Sequence, residues 1–277
     1  MTAYEGGCAV ITGGAGLLGK AMALRFAREG MDIVIADIDP ARMEAVAGEI
    51  RALGREALCV QTDVADPASM DALAHAAYSR FGKVNLLCLN AGRSILKPLL
   101  ELTREDWNAV LGVQFNGVLN GMQSFLTRLA AQGDDQGPRH IVVTSSMSGV
   151  GRADLRQLNA PYVTAKFAVA GMSEVMAPSL AEQGIGISLL CPGMTVANPL
   201  DHQGRVWPMP SAAWYEDNLL DADDVADEVA RAVVEGRFYI FPHHAGRGEV
   251  EGRHQRLIAG FDQAEQSRRA ISEDLAS

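Results

Sequence analysis

A phenol and a primary amine stand four residues apart at Tyr162 and Lys166 in "YVTAK", and the serine pair Ser145-Ser146 precedes them, Ser146 by 16 residues. On a helix, positions i and i+4 share one face, so the ammonium can stand beside the phenol. A free tyrosine titrates near ~10, too high for a base at neutral pH, and a neighbouring cation lowers that value. A hydroxyl close to the same oxygen completes a set suited to moving a proton. The spacing predicts a catalytic constellation of Ser146, Tyr162 and Lys166, provided the chain brings a loop and a helix together.

The elements that would do so are legible along the chain. Short apolar or β-branched runs at 8–12, 32–37, 56–61, 84–90, 140–145, 186–191 and 238–242 alternate with helix-period segments. Most of these runs lack polar alternation, as parallel strands covered on both faces do. Asp39-Pro40 and Asp66-Pro67 each place a capping carboxylate before a proline at a first helical position, and Gly54 and Gly82 sit where those helices should stop. No linker, repeat or low-complexity break interrupts the alternation. The expected fold is α/β: one Rossmann-type, doubly wound parallel sheet of about seven strands with helices on both faces, in a single domain over 1–277.

Composition narrows the partners. The chain is 48% hydrophobic and 21% charged with a formal net charge of −10, and it carries no Lys/Arg run. That argues against nucleic acid or an anionic membrane as the main partner. No apolar stretch approaches the ~20 residues of a membrane span. The start, "MTAYEGG", is neither basic nor apolar, so a cytoplasmic protein is expected. Cys8, Cys59, Cys88 and Cys191 fall in strand-like runs without C-x-x-C spacing and read as buried free thiols. The histidines show no ligand spacing, and no metal is expected.

Directly after the first strand, "TGGAGLLGKAM" opens a helix. Its Gly14-x-Gly16-x-x-Gly19 pattern permits a tight turn, close approach of backbone N–H groups to a pyrophosphate, and packing of helix on strand. The helix start then offers unpaired N–H groups to the anion. Gly13, Gly16, Leu17, Leu18 and Gly19 are therefore candidate dinucleotide contacts. Asp37, at the tip of the second strand, is placed to accept both adenosine ribose hydroxyls. It would repel a 2′-phosphate, and no Arg or Lys occupies 14–16 or 38 to relieve that repulsion. NAD is expected over NADP.

With these residues in place the sequence resembles the short-chain dehydrogenase/reductase family over nearly its whole length. The matching pieces run in order: "TGGAGLLG", Asp63-Val64, "LNAG" at 89–92, Ser146, "YVTAK" and "CPG" at 191–193. The resemblance implies that Asp63 and Val64 hold the adenine, the first by its side chain and the second by its backbone. It implies that Asn90, Ala91 and Gly92 line the adenosine ribose and steady the central strands, while Pro192 and Gly193 run beside the nicotinamide. Tyr162 would be the general acid/base. Lys166 would serve both as its electrostatic partner and as a donor to the nicotinamide ribose, and Ser146 would polarise the substrate oxygen.

Four positions depart from the family pattern. Leu17 stands where compact members usually have glycine, and the T-G-x-x-G-x-x-G form is similar to that of the extended branch. Ser146 precedes Tyr162 by about three residues more than usual, the extra length falling in "GRADLRQLN" with Arg152 and Arg156. Ala197 replaces the threonine that commonly holds the nicotinamide carboxamide, with Thr195 and Asn198 as nearby substitutes. Gln114, in "VQFNGV", takes the place of the family's helix asparagine, and Asn116 comes two residues too late to face the same way. Gln114 joins the catalytic candidates on that ground. Pro178 falls inside the catalytic helix and is expected to kink it.

The segment from about 193 to 220 carries Met194, Val196, Leu200, Val206, Trp207, Met209, Trp214, Tyr215 and Leu219. A cover of this kind favours an apolar or aromatic alcohol or ketone. A C-terminal extension follows from about 243 to 277. Helices expected around 107–132 and 162–183 are apolar around much of their circumference, so one stripe of each needs a partner. The family resemblance implies a homodimer or homotetramer through them. The reading is thus an NAD(H)-dependent dehydrogenase. Two others stand beside it: an extended-type epimerase or dehydratase, suggested by the glycine spacing, and a non-catalytic dinucleotide sensor, suggested by Gln114 and Ala197.

Overall fold

In parallel strands the side chains alternate between two faces, and here each face has its own apolar cluster. Ala9 and Ile11 of β1 (Cys8–Thr12) join one cluster with Ile33 and Ile35 of β2 (Asp32–Asp37) and Leu86 and Cys88 of β4 (Leu86–Leu89). Cys8, Val10, Val34, Ala36, Leu87 and Leu89 join the other. With β3 (Ala57–Gln61), β5 (Arg139–Thr144), β6 (Ile185–Leu190) and β7 (Tyr239–Ile240) they form one seven-stranded sheet, ordered β3-β2-β1-β4-β5-β6-β7 and parallel throughout. The computed structural model describes residues 4–151, 158–195, 219–243 and 246–274.

Helices α1 (Leu17–Arg28) and α2 (Pro40–Ala52) cover the first face together with α7 (Ala222–Glu235). Helices α3 (Pro67–Phe81), α5 (Gly117–Ala131) and α6 (Ala160–Glu182) cover the second. Their starts follow from sequence. Asp39 accepts from the N–H groups of Ala41 and Arg42, and Asp66 from that of Ala68, each ahead of a proline. Thr103 and Asp106 form a reciprocal capping box at α4 (Arg104–Leu111). Gly54 and Gly82 adopt positive φ just past α2 and α3. Helix α8 (Arg247–Asp274) closes the described chain. Among the described residues no helix is long and apolar enough to cross a membrane.

The structure differs from the sequence expectation at several edges. Strand β4 is shorter than the apolar run, and the amide of Asn85 adds side-chain bonds beside the backbone ones at its start. Asn85 Oδ1 accepts from Cys8 N–H while its Nδ2 donates to the carbonyls of Gln136 and Pro138. Cys8, Cys88 and Cys191 are buried, whereas Cys59 is half-buried because β3 is an edge strand. The single helix expected around 107–132 is divided: a π-turn at Gly112–Asn116 separates α4 from α5. Helix α6 runs through Pro178 to Glu182.

Between β5 and β6 lies a buried polar contact. Ser188 Oγ donates to the Arg237 carbonyl at 2.6 Å, so its only hydrogen is used and His140 Nε2–H must donate to it at 2.8 Å. Gly186 is required beside it, since a Cβ there would lie 2.2 Å from His140 Nδ1. Burial pushes the imidazole down to about 4. Between about pH 6.5 and about 4 the unfolded chain takes up a proton that the folded chain refuses, so this group lowers stability as pH falls through that window, by at most about 3 kcal/mol. Denaturant melts of His140→Gln should show a flatter stability–pH curve between those limits than wild type. An unchanged slope would exclude His140 as its source.

Candidate active site

The carboxyl ends of β1, β4 and β5 open into a cleft of about 970 Å³. At its floor the glycine turn is fixed by close approach. Gly13 has φ +62, and a Cβ there would come within 2.8 Å of Ala91 Cα; a Cβ on Gly19 would meet the Gly13 carbonyl at 2.1 Å. Gly16 caps α1 without a side-chain bond, which leaves the helix start to an anion. Leu17 is 38% exposed and, with Leu18, lines the cleft.

Asp37 accepts from Ala15 N–H at 3.1 Å and from Asp39 N–H at 3.3 Å. Arg42 Nη2 donates to the Ala15 carbonyl at 2.7 Å. Ala15 is therefore held at its nitrogen by an acid and at its oxygen by a base, and both side chains line the cleft. Sequence reasoning missed Arg42. A cation was sought at 14–16 and 38, while the first turn of α2 brings one back from five residues beyond Asp37. Asp39 also lines this corner.

Asn90 knits the strand ends together. Its Nδ2 donates to the Thr12 carbonyl at 3.1 Å, its Oδ1 accepts from Thr144 Oγ1 at 3.1 Å, and the N–H groups of Asn90 and Ala91 both donate to Thr12 Oγ1. Asp63 is exposed, with one oxygen bonded to Ala65 N–H. Val64 is buried and its carbonyl accepts from Asn120 Nδ2. Both line the cleft beside Gly92.

The serine pair divides its work. Ser145 Oγ donates to the Lys166 carbonyl and bolts the end of β5 to α6, while the Ser146 hydroxyl bonds the Tyr162 phenol and accepts from Ser148 N–H. Lys166 is 3% exposed; its Nζ donates to the Thr144 carbonyl at 2.6 Å and lies 5.4 Å from the centre of the Tyr162 ring. Burial raises the phenol above the usual tyrosine range, against the pull of the Ser146 bond, and Cys191 adds a smaller push in the same direction as burial. Burial also pushes the ammonium down to about 7. In the protein alone burial is the largest influence on the phenol, and the opposing pull comes from the Ser146 bond.

Gln114 is 2% exposed in the π-turn; its Nε2 donates to the Arg93 carbonyl at 2.9 Å, and its Oε1 has no partner among the described residues. Asn116 is exposed, as its spacing predicts. On the far wall the Pro192 carbonyl accepts from Met147 N–H, and Gly193 packs under the His243 ring. Thr195 pairs with Leu220, and its hydroxyl is buried without a partner among the described residues. Thus Gln114, Pro192, Gly193 and Thr195 share one cleft with the glycine turn and the serine, tyrosine and lysine. Met194 and Leu219 line it too. Arg152, Arg156, Ala197, Asn198 and the apolar positions from Val196 to Tyr215 lie outside the described residues. Among the described residues no group of three His, Cys, Asp or Glu could hold a metal.

The family described as short chain dehydrogenase matches residues 7–205. A 1-deoxy-11-beta-hydroxypentalenate dehydrogenase of Streptomyces exfoliatus is 32% identical over 243 residues, 86% of this chain and 84% of the relative. A C alpha-dehydrogenase of Sphingobium is 30% identical over 274 residues, 93% of this chain and 87% of the relative. A crystal structure of a short chain dehydrogenase/reductase from Burkholderia phymatum in complex with NAD superposes with a TM-score of 0.81 at 32% identity, covering 94% of this chain and 97% of that one. The chain belongs to the short-chain dehydrogenase/reductase family. It is an oxidoreductase with a nicotinamide dinucleotide fold.

Proposed function

We propose that the protein interconverts a secondary alcohol and a ketone on an apolar or aromatic substrate, using NAD(H), with Tyr162 as general acid/base. The observation that carries this reading is the shared cleft: Tyr162, bonded to Ser146 and backed by Lys166, opens onto the same space as the glycine turn and Asp37. The residues present fit the dinucleotide. A Cβ would fill the cradle at Gly13 and Gly19, the start of α1 is uncapped, and the Thr195 hydroxyl is an unfilled hydrogen-bonding group of the same cleft that could receive a carboxamide. The dinucleotide would supply or accept the hydride, and its oxidised ring would favour a Tyr162 phenolate. Ser146 polarises the substrate oxygen, and Tyr162 delivers or removes the proton there. Gln114, with one amide oxygen unfilled in the π-turn, would take the place of the family's helix asparagine in a water-mediated proton path to Lys166.

Cofactor choice rests on a charge balance at the adenosine corner. Two carboxylates, Asp37 and Asp39, face one guanidinium there, and Arg42 is already engaged by the Ala15 carbonyl. NADH should be favoured over NADPH by tenfold or more in kcat/KM, on the order of 1.4 kcal/mol. Asp37→Ala should erode that preference because it frees the corner for a phosphate beside Arg42, and adding Arg42→Ala should take the NADPH gain away. Equal use of both cofactors by wild type would refute the assignment.

Since burial holds the phenol protonated, alcohol oxidation should accelerate as pH rises toward the alkaline range, while ketone reduction should be favoured near neutrality. Tyr162→Phe should lower kcat at least ~100-fold in both directions and leave NADH binding nearly intact. Retention of a tenth of the rate or more would remove tyrosine from the proton step, and intact dinucleotide binding without any turnover in wild type would favour the sensor reading.

Gln114→Ala should lower kcat and displace the alkaline limb of the same pH–rate profile. A glutamine that merely packs would change the melting temperature and leave the profile in place.

A further inference from the structure

Among the described residues three arginines keep a buried Nε without a hydrogen bond: Arg55, Arg93 and Arg237. Two of them are neutralised at another nitrogen, Arg55 by Asp32 at 2.9 Å and Arg237 by Glu228 at 2.8 Å. Arg93 is half-buried and has no acid partner among the described residues. The next cation along the same segment, Lys97, is held by Asp106 at 2.5 Å. A guanidinium cannot escape burial by losing its proton, so leaving one without an acid is disfavoured. Its retention asks for an anion from outside the chain.

Arg93 lines the cleft, and its own carbonyl is pinned by Gln114 Nε2 at 2.9 Å. The sheet order says which part of the cleft it serves. The acids that line the cleft, Asp37, Asp39 and Asp63, come at the ends of β2 and β3, and each accepts from backbone N–H groups. Strand β1 lies between them and β4, which leads to Arg93, so these strand ends stand roughly 10 Å or more apart. On its other side β4 borders β5, which leads to Ser146. Beyond Arg93 the chain runs to Lys97, whose N–H donates to the Leu158 carbonyl just before α6. The segment thus crosses from the glycine turn, where Ala91 lies against Gly13, to the start of the helix that carries Tyr162.

We propose that Arg93 is a substrate-recognition residue that holds a carboxylate carried by the alcohol or ketone. With Nε enclosed, the terminal nitrogens are left to form the planar fork that matches the two oxygens of a carboxylate. The dinucleotide phosphates have their own receptor at the uncapped start of α1. The inference rests on the alcohol–ketone reading of the site and narrows the substrate class to apolar or aromatic acids that carry the reacting oxygen elsewhere.

The test compares para-acetylbenzoate with its neutral counterpart para-acetylbenzamide. Binding to the NADH-loaded protein is measured by calorimetry, and turnover is measured separately by NADH consumption. Wild type should bind the carboxylate about tenfold more tightly or better at low salt, and added salt should shrink that preference. Arg93→Met should abolish the preference while leaving NADH affinity close to that of wild type. If the methionine variant does not fold, Arg93→Gln answers the same question. Absence of a preference in wild type, or its survival in the folded variant, overturns the proposal. A large loss of NADH affinity in the variant, with no carboxylate preference in wild type, overturns it too and assigns the guanidinium to the dinucleotide phosphates. Failure to reduce either probe would count against the alcohol–ketone reading, while the binding comparison would still decide the role of Arg93.

Discussion

One buried hydrogen-bond chain holds the two halves of the site in register. Lys166 Nζ donates to the Thr144 carbonyl, Thr144 Oγ1 donates to Asn90 Oδ1, and Asn90 Nδ2 donates to the Thr12 carbonyl, where the glycine turn begins. Helix α6 is thereby tied to the glycine turn through the ends of three adjacent strands. Parallel order makes this possible, because β1, β4 and β5 are neighbours that all finish at the same edge. The cleft opens where the order reverses, between β1 and β4, which is where ligands enter such sheets. A change at any member would shift the phenol relative to the turn as well as loosening the core.

The same chain sets the electrostatics. To reach Thr144 the lysine must be buried, and burial pushes its ammonium down to about 7 while raising the phenol beside it. Burial therefore favours the neutral form of both groups, and the Ser146 bond opposes it at the phenol. A Tyr-x-x-x-Lys spacing alone does not show this, because it carries no information about desolvation.

What the sequence made legible was whatever depends on backbone shape and order. Glycines at a turn, capping acids before prolines and unbroken apolar runs each have one local physical meaning, and the sheet and cleft follow from them. The serine pair, Tyr162, Lys166, Gln114 and Thr195 do meet in one cleft. Arg42 was not legible, because its role depends on a helix turn carrying it back over Ala15. The division of labour between Ser145 and Ser146 was also hidden, since only packing shows which hydroxyl faces α6. The π-turn at Gly112–Asn116 was hidden as well; Gln114 within it donates to the Arg93 carbonyl.

Unfilled polar groups near the reacting phenol have a common meaning. Elsewhere Asn85 is bonded at both amide atoms, and His140 is bonded to Ser188 even though this requires a glycine beside the ring. Around the cleft, Thr195 Oγ1 and Gln114 Oε1 are left empty among the described residues, and both residues line the space that holds the glycine turn and Tyr162. Replacing such groups with apolar residues of similar shape is often neutral or stabilising. Stability is thus given up at two positions where a bound molecule could return it.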